Sequence, residues 1–183
     1  MAEVYGLPNR VIAEIGAKIL ESPELLNYIY YTGKEYDNID LFTLEPPSAN
    51  DLVDKYIFIG RRIPNIMKQV GAFLDIRVNR YQPRLGQKSA RTIKYVEVDI
   101  DILCHVDCQR TLRGTRDITI VTLLQEILEN ADLTGIATNA EITTVTEILG
   151  LDSNYCGYQL KITIEGYNQG TYKKLKGRVY IWN

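Results

Sequence analysis

From Tyr95 to Gln109 apolar and polar residues alternate without a break. Val96, Val98, Ile100, Ile102, Cys104, Val106 and Cys108 share one parity; Glu97, Asp99, Asp101, Leu103, His105, Asp107 and Gln109 share the other. Successive strand side chains point to opposite faces, so this pattern predicts one long strand with a buried face and an acidic face. Carboxylates two positions apart on a strand stand about 7 Å apart and repel, so a sheet accepts them only where water, cations or a partner screens them. The acidic face is therefore expected to be wet and in use.

At 183 residues the chain is sized for one good core, and a single domain over 1–183 is expected. Within it, residues 1–50 read as a helical and irregular N-terminal part, and residues 169–183 as a C-terminal arm or edge strand. The net charge of -2 gives no global pull toward nucleic acid or membrane. Locally the picture differs. Arg77, Arg80, Arg84, Lys88, Arg91 and Lys94 form a basic run with no acid, and the acidic strand follows directly. Such polarity suits self-assembly. No stretch approaches the roughly 20 apolar residues of a membrane span, and MAEVYGLPNR lacks the apolar run of a signal peptide, so a cytoplasmic chain is expected. Cys104, Cys108 and Cys156 are an odd set read as reduced core residues. Thirteen tyrosines against three phenylalanines favour half-wet contact surfaces.

Val11, Ile12, Ile15 and Ile19 recur at helical spacing and predict a helix over 8–20. Ser22-Pro23-Glu24 caps a second, with Leu25, Leu26, Ile29 and Tyr30 as its apolar side. Residues 32–50 are rich in Gly, Asp, Asn and Pro and read as an irregular excursion. Tyr56 to Ile59 reads as a short strand, and Ala72 to Asn79 alternates again, forming a candidate hairpin with the acidic strand. Ile120, Leu124, Ile127 and Leu128 predict a helix over 117–130, capped by Thr115 or Asp117 and laid across the sheet's apolar face. Two strands, 141–149 and 155–167, complete an α+β fold: a mostly antiparallel sheet with a long hairpin and helices on one face.

Few residues offer chemistry. Cys104-His105-Val106-Asp107-Cys108 resembles a metal motif, but on a strand the cysteines face away from His105 and Asp107, so no shared ion and no metal or cofactor is expected. With one histidine, no G-x-S-x-G motif and no Gly-rich phosphate loop, catalysis is not expected either. Arg113-Gly-Thr-Arg116 reads as a turn and helix shoulder; two arginines there oppose the helix dipole, which calls for a carboxylate from elsewhere.

The passage VEVDIDILCHVDCQRTLRGTRDITIVTLLQEILENADLTGI, together with SPELLNYIYYTG and IFIGRRIPNI, resembles the tail-terminator and neck proteins of long-tailed bacteriophages. The resemblance implies a structural virion protein, assembled in the host cytoplasm, that forms a ring at the head–tail junction. Such a ring, usually a homohexamer, caps the tail tube protein, joins the head-connector protein and lets double-stranded DNA pass without sequence-specific binding; no membrane is involved. Glu97, Asp99, Asp101 and Asp107 are then the candidates for an acidic lumen, where carboxylates keep the duplex from adhering. Arg80, Arg84, Lys88, Arg91, Arg113 and Arg116 are the candidates for subunit or ring–ring contacts. Two other classes stay open: a nucleic-acid-binding module using the basic 77–94 loop, and an acidic-site metal hydrolase.

Overall fold

In the computed structural model, which describes residues 7–60, 69–83, 93–129, 139–148, 154–167, 173–175 and 178–180, the alternating segment is one strand at the centre of a five-stranded sheet. In chain order the elements are α1 (Leu7–Leu20), α2 (Pro23–Tyr30), α3 (Ala49–Leu52), β1 (Ile57–Ile59), β2 (Ala72–Pro83), β3 (Ile93–His105), β4 (Arg110–Thr111), β5 (Gly114–Thr115), α4 (Arg116–Glu129), β6 (Asn139–Glu147), β7 (Tyr155–Tyr167), β8 (Lys173–Leu175) and β9 (Arg178–Tyr180). The main sheet runs β1-β2-β3-β7-β6, antiparallel throughout except where β1 lies parallel to β2. The fold is α+β with a mostly antiparallel sheet, as the patterning predicts. Among the described residues no helix is long and apolar enough to cross a membrane.

The parity of β3 decides which face is packed. Val96, Val98, Ile100, Ile102 and Cys104 are fully buried, joined by Leu74 and Ile76 of β2 and Leu160 of β7. Over this face lie Val11, Ile15 and Ile19 of α1, Leu25 and Ile29 of α2, and Ile120, Leu124 and Leu128 of α4. The middle of the sheet is tightly drawn: a Cβ on Gly157 would collide with the carbonyl oxygen of Ile102, so the β3–β7 pairing requires glycine there. The second helix begins as its sequence dictates, with Ser22 Oγ accepting from the Leu25 amide at 3.4 Å and Pro23 in the first turn.

Several expectations change. The strand stops at His105, where the chain tightens into a 3-10 turn over Val106–Cys108 and His105 Nδ1 accepts from the Asp107 amide at 3.1 Å. Asp107 and Gln109 thereby leave the acidic ladder. The excursion at 32–50 contains two 3-10 turns, Lys34–Tyr36 and Leu41–Thr43, and the second is bound onto α2. Buried Asn27 donates from Nδ2 to Leu41 O at 2.8 Å and to Leu44 O at 2.9 Å. At the far end of the chain β8 and β9 pair with each other and not with the main sheet.

Arg116, expected at a subunit contact, is instead turned inward and 0% exposed. Its Nε donates to Cys108 O at 2.6 Å, Nη1 to Tyr28 O at 2.5 Å and Nη2 to Tyr31 O at 3.0 Å. Tyr28 and Tyr31 close the C-terminal end of α2, the negative end of that helix's dipole. The guanidinium therefore opens α4 against its own dipole because another helix end compensates. Burial pushes its pKa down, yet a guanidinium keeps its charge in proteins.

Two substitutions test this core. Ile100→Asp places an unpaired charge at a fully buried position, with an expected cost of several kcal/mol and loss of the cooperative thermal transition. A folded, soluble variant would contradict the assigned parity. Arg116→Lys should lower stability by about 2–3 kcal/mol in urea titration, since an ammonium lacks the planar fork that serves three diverging carbonyls. A wild-type midpoint for the lysine variant would show that charge alone suffices.

Candidate functional site

The acidic face of β3 is not a free, wet ladder. β2 faces it with Asp75 directly opposite Asp101 and Arg77 directly opposite Asp99. Like charges directly opposed in a sheet destabilise it, so the three carboxylates need a cation. Arg77 supplies it. Its Nη1 lies 2.9 Å from Asp75 Oδ2 and 2.5 Å from Asp101 Oδ2, and its Nη2 lies 4.0 Å from Asp99 Oδ2. Neutral donors finish the set: Asn79 Nδ2 donates to Asp99 Oδ1 at 3.2 Å, and Gln159 Nε2 of β7 donates to Asp101 Oδ1 at 2.8 Å.

The network is largely withdrawn from solvent. Asp75 is 1% exposed and Asp99 5%, and at Asp99 this corrects the expectation of a wet acidic face. Burial raises the pKa of both, opposed by Arg77 at Asp75 and by Asn79 and Arg77 at Asp99. Asp75 Oδ1 is buried without a hydrogen-bond partner, so this carboxyl carries the largest unmet demand in the group. The sequence signal for Asp75 was present: it shares the parity of Arg77 on the neighbouring strand, opposite that of buried Leu74 and Ile76.

The four lumen candidates do not form one lining. Asp99 and Asp101 share Arg77; Glu97, half-buried, lies further along β3 opposite exposed Arg80, past a bulge between Val78 and Arg80. Asp107 is exposed on the 3-10 turn, 3.7 Å from His105 Nδ1. Among the contact candidates, Arg84, Lys88 and Arg91 lie outside the described residues. Arg113 has its carboxylate within the chain: Nε and Nη2 reach Asp40 Oδ1 and Oδ2 at 3.0 and 2.6 Å, and the guanidinium lies 4.4 Å over the Phe42 ring. Arg113 holds the Asp40 carboxyl below its ordinary value.

The cysteines are packed thiols. Cys104 and Cys108 are buried and Cys156 half-buried, and desolvation pushes all three pKa values up, away from thiolate chemistry. Among the described residues no group of three or more His, Cys, Asp or Glu side chains is arranged to hold a metal ion. An open apolar depression of about 280 Å³ between α1 and β1, lined by Asn9, Arg10, Ile12, Ala13, Glu14 and Ile59, brings no converging polar groups to a ligand.

The YomW family model matches residues 22–164, well over half of the chain. The chain belongs to the YomW family. That family name derives from a Bacillus prophage region, which points to a phage-associated protein. The YomW match runs from the Ser22 cap of α2 into β7, so it contains Arg77, the carboxylates and Arg116, and leaves out α1 and the β8–β9 pair. A comparison with curated proteins gave no match.

The charge set predicts its own pH dependence. Asp75 and Asp99 bind a proton more tightly in the folded chain than in the unfolded one, so their protonation favours the fold, and this contribution grows as pH falls through the raised folded values. Arg77→Met removes the cation and raises them further. The variant should lose on the order of 2 kcal/mol at pH 7.5, discounted because the Arg77 side chain is 37% exposed. The deficit should shrink toward pH 5. Equal deficits at both pH values in urea titrations would show that Arg77 acts by packing alone.

Proposed function

We propose that this chain is a structural virion protein that forms a homo-oligomeric ring at the head–tail junction of a long-tailed phage, as a tail terminator or neck ring. In this reading six copies cap the tail tube protein, join it to the head connector and enclose the DNA in transit. Membership of a phage-associated family supports the setting. The observation that carries the role is the matching of bases to acids of the same chain across the sheet's second face. Arg77 is held by Asp75 and Asp101, Arg80 stands opposite Glu97, and Lys161 stands opposite Asp99.

Phosphates adhere where basic side chains are unmatched, because binding there releases condensed counterions. A lumen built from a matched face offers the duplex no such foothold. The acids need not be freely exposed for this: three carboxylates around one guanidinium still leave negative charge beneath the surface, and its field reaches the channel. The role is architectural and assigns no catalytic residue.

Fluorescence anisotropy with a labelled duplex and a solution mass measurement test it together. The purified protein should have a mass six times that of the chain and little duplex affinity at any salt. Glu97→Lys leaves Arg80 without its opposite acid and should create affinity that falls steeply with salt, the log–log slope growing by about 0.9 for each phosphate contacted. A monomer would contradict the ring. Tight, salt-steep binding by the unaltered protein would instead make the basic 77–94 segment a nucleic-acid-binding module.

A further inference from the structure

The main sheet has two unequal edges. One is β1, three residues long and followed in the chain by Arg61 and Arg62. The other is β6, nine residues long, and no described strand pairs with its outer side. Ile148 N donates to Gly157 O at 2.9 Å, so by antiparallel alternation Val145 and Glu147 turn their N–H and C=O groups away from β7. Natural edge strands are blunted by charged side chains (Lys above all), Pro, bulges or short length. Asn139–Glu147 has a bulge between Ile142 and Thr144 and two exposed acids, Glu141 and Glu147, but no Lys or Pro, and beyond the bulge Thr144–Glu147 pairs regularly with β7 and keeps its outer side open to a strand that brings bases.

The C-terminal segment is the complement. β8 and β9 form a two-stranded sheet by themselves, and an isolated hairpin is marginal in water. Residues 169–183 contain Lys173, Lys174, Lys176 and Arg178 and no acid. We propose that the β8–β9 hairpin of one copy of the chain adds to the β6 edge of a neighbouring copy, extending its five-stranded sheet by backbone hydrogen bonds and matching bases to Glu141 and Glu147. The inference rests on the ring reading in needing a second copy. The link is head-to-tail, which closes into rings where the rotation per subunit allows. A symmetric β6–β6 pair centred on Thr144 is disfavoured, since it sets Glu141 opposite Glu147. The β1 edge is short and next to further bases, so it suits the hairpin less.

Cross-linking of the full-length chain tests this. Thr144→Cys in one preparation and Val179→Cys in an isotopically heavy one, mixed and mildly oxidised, should give a mixed-mass covalent dimer that neither preparation gives alone. The doubly substituted chain should give a covalent ladder. Glu141→Lys with Glu147→Lys, checked for folding by circular dichroism, should reduce cross-linking at least tenfold, and Lys173→Glu with Lys174→Glu in the same chain should restore it. A ring by mass that yields no 144–179 link overturns the pairing and leaves the ring reading standing. Linked pairs whose mass stops at the dimer uphold the pairing and remove the ring. A 144–179 disulfide within one monomeric chain overturns the proposal, because the arm then folds onto its own edge.

Discussion

Arg77 stands among Asp75, Asp99 and Asp101 in the middle of the sheet's second face, and the central strand depends on it. Without a cation, β2 and β3 would set Asp75 directly against Asp101 with Asp99 alongside, a repulsive arrangement with little water to screen it. With the guanidinium in place the same residues bind the hairpin together, while Asn79 and Gln159 extend the hydrogen bonding along β2 and across to β7. Arg116 solves a parallel problem in the other layer. It satisfies three carbonyls at the junction of α2, the Val106–Cys108 turn and α4, and so joins the N-terminal helices to the end of the sheet. Both arginines are single cations meeting several acceptors; one uses carboxylates, the other a helix end.

Much of the fold is legible in the sequence because local signals and burial agree. The alternation of β3 sets its parity, the spacing of Ile120, Leu124 and Leu128 sets the buried side of α4, and Ser22-Pro23 sets the start of α2. The site was legible only in part. Periodicity shows that Asp99 and Asp101 share a face, but it carries no information on which long side chain reaches them from the next strand, and that choice determines whether the face is wet or sealed. Arg77 was counted with a basic run that suited partners outside the chain, whereas pairing register brings it to the acids within the chain. Arg116 was misplaced for a related reason: a cation at a helix start reads as a surface residue until the carbonyl end of α2 is seen beside it. Asp107 was placed on the strand because alternation continues past His105, although the histidine side chain itself caps the turn that ends the ladder.

A ladder of free acids would repel DNA at the expense of subunit stability, whereas a face whose bases are matched within the chain can be stable alone and still hold no phosphate. Membership of a phage-associated family and a nine-residue outer strand that no described strand covers are consistent with a protein whose work is assembly.

Electron cryomicroscopy of virions carrying a labelled copy of the chain would locate the protein in the particle. A head–tail junction ring gives closed density between tail tube and head connector, with DNA running through its centre. Label found elsewhere in the particle, or excluded from virions altogether, would contradict the ring reading.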